Sequence, residues 1–175
     1  EKGRSTKPDL AFAAMFQQRT LAAHKKIKTI LDSGELGRLT RATWIITDWF
    51  RTQFYYNTGS WRATWKGEGG GVLLNQCPHN LDLYQWFFGM PAKIHGIAAI
   101  GKHHDIEVED EVVAQMEYAN GAVGTFIVST GETPGWNRLE IFGNNGCVCL
   151  EGGKITFERT EQPIDEHLAN WPYEF

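Results

Sequence analysis

Residues 67–89 read GEGGGVLLNQCPHNLDLYQWFFG. Three glycines at 69–71 run into a mostly apolar segment that carries Asn75, His79, Asp82 and Trp86. Their spacing of i, i+4, i+7 and i+11 places all four on one narrow face of a helix. Leu74, Cys77, Leu81, Tyr84 and Phe88 fall on the opposite side, the expected core face. Such a helix hides its apolar side and turns an amide, an imidazole, a carboxylate and an indole toward a polar cleft. The glycines let backbone approach closely there. Pro78 lacks an N–H, so the regular helix is expected to start near Asn75, with Pro78 in its first turn and Asn75 available as the N-cap.

The flanks read as strands and one further helix. Upstream, residues 11–17 (AFAAMFQ) form a short apolar run of buried-strand type without a partner in sequence. Residues 21–33 read as a helix with Ala23, Ile27, Ile30 and Leu31 as its stripe, stopped by Gly34. Residues 40–49 follow as a strand, with Ala42, Trp44 and Ile46 on one face. Residues 50–66 are aromatic and irregular. Trp61 and Arg62 there read either as a loop packed under its own rings or as one wall of a sugar-sized site.

Downstream, strands are expected at 93–101, 111–118, 122–130, 138–142, 147–151 and 154–158. Asn120-Gly121, Asn145-Gly146 and Gly152-Gly153 supply tight turns, which force antiparallel neighbours. The fold class is therefore α+β: a large open, mainly antiparallel sheet with helices on one face. Residues 160–175 show no clear period.

Composition narrows the function classes. The 175 residues are 42% hydrophobic and 22% charged, with a net charge of −4. That is one ordinary globular domain, with no electrostatic case for nucleic acid or an anionic membrane. No apolar run approaches a membrane span, and no signal peptide is expected. Three cysteines without a Cys-x-x-Cys argue for a reducing compartment, so a cytoplasmic location is expected. His103, His104, Asp105, Glu107, Glu109, Asp110 and Glu111 crowd one segment without metal-ligand spacing. A solvated loop is expected there, and no metal. The glycines at 67–71 do not fit a strand–GxGxxG–helix context, and neither GxSxG nor HExxH occurs. Chemistry must come from the His79 face and the Trp61–Arg62 loop.

Taken together, several stretches resemble the glucose–fructose oxidoreductase/inositol dehydrogenase (Gfo/Idh/MocA) family. They are Gln18-Arg19, Ser33-Gly34-Glu35-Leu36-Gly37, Trp61-Arg62, the block GGGVLLNQCPHNLDLYQWFFGMP, Glu109-Asp110-Glu111 and Asn120-Gly121-Ala122. Their order and spacing, from about residue 12 to about 157, carry the resemblance more than any one motif.

The resemblance implies the substrate-binding half of an NAD(P)-dependent oxidoreductase whose Rossmann domain is absent. Residues 1–19 would be the end of that domain, 20–160 the substrate-binding and oligomerisation domain, and 161–175 a tail or the start of a further part. In the family a lysine of the absent domain works with a histidine, and often with an aspartate four residues before it. His79 matches the histidine. Asn75 stands where the aspartate is common, and an amide cannot shuttle a proton.

The expected activity is oxidation of a secondary alcohol of a sugar or polyol, with NAD or NADP bound mainly by the absent domain. His79 is the expected catalytic residue, and Asn75, Arg62, Trp61 and Asp82 the substrate-binding set. A homo-oligomer through the sheet face is implied. By itself the chain is expected to be inactive. Two rivals remain: a non-catalytic module pairing through its sheet, and an isomerase or lyase using His79 without nicotinamide. The outer sheet face, at positions such as Val113, Gln115, Glu117, Val123, Phe126 and Val128, discriminates the first.

Overall fold

The computed structural model describes residues 9–11, 13–170 and 172. A 3-10 turn, Gln17–Thr20, leads into α1, Ala22–Asp32. Then come β1 Leu39–Ile46, α2 Gln53–Asn57, α3 Val72–Asn75 and α4 Pro78–Phe88. Six further strands follow: β2 Lys93–Ile100, β3 Glu109–Glu117, β4 Val123–Ser129, β5 Asn137–Gly143, β6 Gly146–Glu151 and β7 Lys154–Arg159. A last helix, α5, spans Ile164–Asn170, where the sequence shows no period.

The seven strands form one sheet in the order β2-β3-β4-β1-β5-β6-β7. Every pairing is antiparallel except β1 with β4. The exception follows from the connections. The long link after β1 carries α2, α3 and α4 and delivers the chain to the edge strand β2. The β2-β3-β4 meander then returns to lie beside β1 in the same direction. Long crossovers permit parallel pairing, and tight turns do not.

Helices cover one face. Ile27 and Ile30 of α1, with Leu83, Tyr84 and Phe87 of α4, pack on Ala42, Trp44, Ile46, Phe126, Val128, Leu139 and Ile141. Each such aliphatic or aromatic side chain contributes roughly 1.5–3 kcal/mol on burial. Tyr84 reaches through this layer toward the carbonyl of Ala42 at 3.4 Å. A Cβ at position 124 would lie 2.4 Å from its hydroxyl, so Gly124 makes the room.

Three expectations are corrected. Residues 11 and 13–17 form no strand and lie mostly exposed, with residue 12 outside the described set. Their apolar pattern finds no sheet edge to join. Phe126 and Val128 belong to the core; the outward positions of β4 are Val123, Thr125 and Ile127. Period-2 alternation decides this, because position 123 is out of phase with 126 and 128. The acidic segment is not a solvated loop, as its buried carboxylates show below.

Candidate functional site

The segment around His79 is two helices, not one. α3 ends at Asn75, and Cys77, in a helical conformation, precedes Pro78 at the start of α4. Asn75 is therefore not the cap of α4. Pro78 accounts for the break: it offers no N–H to the preceding turn but suits a first helical position. The four-residue face drawn on a continuous helix is lost, and Leu74, expected in the core, is 53% exposed. Cys77, Tyr84 and the partly buried Leu81 and Phe88 do pack inward.

A carboxylate organises the glycine run. Glu109 Oε1 accepts from the N–H groups of Gly71 at 3.0 Å and Leu73 at 3.2 Å. A Cβ at position 71 would lie 1.9 Å from the Glu109 carbonyl oxygen. The glycine is thus required by close approach of β3. Because Glu109 already occupies these amides, the run is not a phosphate cradle.

The next carboxylates are equally committed. Asp110 is 0% exposed. It accepts from the N–H groups of Lys102, His103 and His104 at 2.9, 2.8 and 3.1 Å, and pairs with His104 Nδ1 at 3.0 Å. His104 Nε2 reaches the Arg51 carbonyl at 2.9 Å, so this buried ring ties the 102–104 loop to the segment after β1. Glu111 pairs with Lys102 and with His103 at 2.8 Å, and the Lys102 contact leads in holding its carboxyl below the ordinary range. Among the described residues no cluster could hold a metal ion. Glu109-Asp110-Glu111 is legible in the sequence as a stretch before a strand, but not the inward turn of Glu109 and Asp110. Asp110 holds the backbone of residues 102–104, and the same loop continues into residues 105–107 beside the Trp61–Arg62 segment.

His79 is half-buried at the start of α4. Its ring meets Phe16 edge-on at 5.8 Å between centroids. Its Nε2 lies 3.4 Å from Gln17 Nε2. With the Gln17 amide as donor, His79 Nε2 is an acceptor and the hydrogen sits on Nδ1. Nδ1 is buried and has no partner.

Asn75 donates to Glu68, whose other oxygen accepts from the Ala63 N–H at 2.7 Å. Asn75 is therefore linked to the Trp61–Arg62 loop through Glu68, and not to His79. Ala63 is buried at φ 51°, a left-handed conformation uncommon outside glycine. Arg62 lies over the rings of Tyr55 and Trp61 at 4.7 and 4.6 Å and donates to the Tyr55 hydroxyl at 3.0 Å. Trp61 is half exposed. Between this loop and residues 105–107 lies an open cleft of about 610 Å³.

Asp82, expected in the substrate-binding set, is engaged by a cation of this chain. Its two oxygens take Nε and Nη2 of Arg19 at 2.7 and 2.6 Å. Trp86 packs beside the same guanidinium at 5.4 Å. Both residues serve to clamp the 3-10 turn onto α4. Cys77 is buried, and burial pushes its thiol up to about 12, which favours the neutral form.

Comparison with known proteins agrees with this architecture. A bovine (Bos taurus) trans-1,2-dihydrobenzene-1,2-diol dehydrogenase is 28% identical over 142 residues, 81% of this chain and 39% of its own length. The WlbA dehydrogenase of Bordetella pertussis, solved with NADH and UDP-GlcNAcA, is 27% identical with a TM-score of 0.78, over 89% of this chain and 49% of that one. The WlbA enzyme of Chromobacterium violaceum, also solved with NADH and UDP-GlcNAcA, is 27% identical with a TM-score of 0.82, over 96% and 50%. The chain thus spans at most about half the length of these relatives. Residues 24–149 match the GFO/IDH/MocA C-terminal domain, which is most of the sequence, and the chain belongs to that family.

Proposed function

We propose that this chain is the substrate-binding half of an NAD(P)-dependent oxidoreductase acting on a secondary alcohol of a sugar or polyol. The observation that carries the proposal is the state of His79. A structural histidine normally has both ring nitrogens satisfied. Here Nδ1 has no partner, and Nε2 has only the loose amide of Gln17. A substrate hydroxyl displacing Gln17 would donate to the same lone pair, and Nε2 would take its proton as the carbon is oxidised.

The hydride acceptor, NAD or NADP, is assigned to protein outside this chain, since Glu109 occupies the amides of Gly71 and Leu73. Residues 20–160 are the proposed substrate-binding and oligomerisation unit. Residues 1–19 are read as the end of a nucleotide-binding domain, and 161–175 as a tail or the start of a further part. Arg62 and Trp61 offer donors and a ring face to hydroxyls. Asn75 acts through Glu68 on the loop that presents them.

In the full-length protein, His79→Ala is expected to lower kcat by about two to four orders of magnitude. His79→Asn recovers little, because an amide has no basic nitrogen. Wild-type kcat in His79→Ala overturns the assignment.

A second role is favoured by the outer sheet face. Ile97, Val113, Val123 and Phe142 point away from the helices and remain exposed, which suits a homo-oligomer paired through this face.

A further inference from the structure

A second cleft, of about 400 Å³, lies where α1, α4, the end of β1 and the β6–β7 turn meet. Its walls include Trp44, Trp49, Asp48, His24 and Asn80. Asn80 is 3% exposed, yet its Oδ1 has no hydrogen-bond partner. Leaving a buried amide oxygen unpaired costs about 1–3 kcal/mol, so such a group calls for a ligand. The other polar groups are partly committed. Trp44 Nε1 donates to Asn137 at 3.1 Å, and His24 Nδ1 faces the Gln18 carbonyl at 2.8 Å. The latter contact puts a hydrogen on Nδ1 and leaves Nε2 over.

We infer that this cleft is a binding subsite for an uncharged, hydroxyl-bearing ring, a glycosyl unit. The chemistry of the walls selects that class. The half-buried Trp49 indole supplies an apolar face above the buried Trp44, Asp48 and the Asn80 oxygen accept from hydroxyls, and no lysine or arginine lines the cleft. A phosphate or carboxylate would face Asp48 with no cation in compensation.

The position ties the subsite to the reaction. Asn80 follows His79 on α4, about 100° round the helix, and Gln18 follows Gln17, which touches His79. The cleft therefore opens beside the histidine and not upon it. It suits the second ring of a glycoside whose first ring is oxidised, an extension that rests on the function proposed above.

The test is a nuclear magnetic resonance titration of this chain with cellobiose and with methyl glucoside, following the indole N–H signals of Trp44 and Trp49. Saturable shifts are expected with a neutral saccharide at millimolar concentration. Asn80→Leu should abolish them while raising Tm, because the orphaned amide is replaced by an apolar group of similar size. His79→Ala should keep the shifts, which separates this subsite from the catalytic assignment. The inference is overturned if no neutral saccharide moves the two indoles. It is equally overturned if uridine diphosphate moves them more strongly, or if Asn80→Leu binds like the wild type.

Discussion

The Asp82 carboxylate grips the Arg19 guanidinium with both oxygens, across 63 residues of sequence. Asp82 is nearly buried, with 8% of its side chain exposed, and Arg19 is 38% exposed. The pair fixes the 3-10 turn against α4 and so holds Phe16 and Gln17 beside His79. Bidentate geometry makes it stronger than a single surface contact. Partial exposure of the arginine keeps it weaker than a fully buried pair. Asp82→Ala is expected to cost about 1–2 kcal/mol in urea denaturation. Arg19→Lys should recover only part of the loss, since an ammonium cannot match the fork. A double-mutant cycle with no coupling energy refutes the clamp.

Gly71→Ala tests the close approach of α3 to β3. The added methyl has nowhere to go, because the obstacle is the Glu109 backbone carbonyl at 1.9 Å. A loss of about 3 kcal/mol or more is expected, enough to lower Tm by 10 °C or so. Gly121→Ala is the comparison, since a Cβ there meets nothing within 4 Å and only its positive φ of 84° opposes it. Equal losses at the two positions contradict the packing explanation.

Asn75→Asp examines the position where the family resemblance leads one to expect an aspartate. Here the amide donates to Glu68. A carboxylate would face another carboxylate, so the loop should lose about 0.5–1 kcal/mol of local stability at neutral pH. Amide hydrogen exchange of Ala63 reads the effect directly, since its N–H bonds Glu68. Unchanged protection at Ala63 shows that Asn75 does not support the loop.

Acid lability has a defined direction. Glu140 accepts from Arg41 and Arg138 at 3.0 and 2.8 Å, and the Arg41 bond leads in holding its carboxyl below 4.5. Glu111 is held below 4.5 as well, first by Lys102. A carboxyl lower in the folded than in the unfolded state stabilises the fold above its unfolded value and ceases to do so as pH falls through the folded one. Stability should therefore decline from about pH 4.5 downward. The double variant Glu111→Gln/Glu140→Gln should flatten that part of the Tm–pH curve, and an unaltered slope assigns the lability elsewhere.

Association is decided on the outer sheet face. Val113→Lys places a charge between its paired neighbours Ile97 and Ile127 without touching the core. Light scattering is expected to give at least a dimer for the wild type and a monomer for the variant. A wild-type monomer at micromolar concentration removes the second role proposed above.

Local chemistry in the sequence determined most of the architecture. Turn pairs such as Asn120-Gly121 and Gly152-Gly153 set antiparallel neighbours, and period-2 runs such as Val112, Ala114 and Met116 set the buried face. These are properties of near neighbours along the chain. Only the tertiary structure decided what the polar residues of the central segment do. Pro78 splits the helix, and Asn75, left on the earlier one, bonds Glu68 instead of His79. Arg19 claims Asp82 from 63 residues away. Glu109 and Asp110 turn inward because the amides of 71, 73 and 102–104 need acceptors there. A carboxylate reads the same in sequence whether it faces water or a buried row of N–H groups. The partner that distinguishes the two cases arrives through the fold.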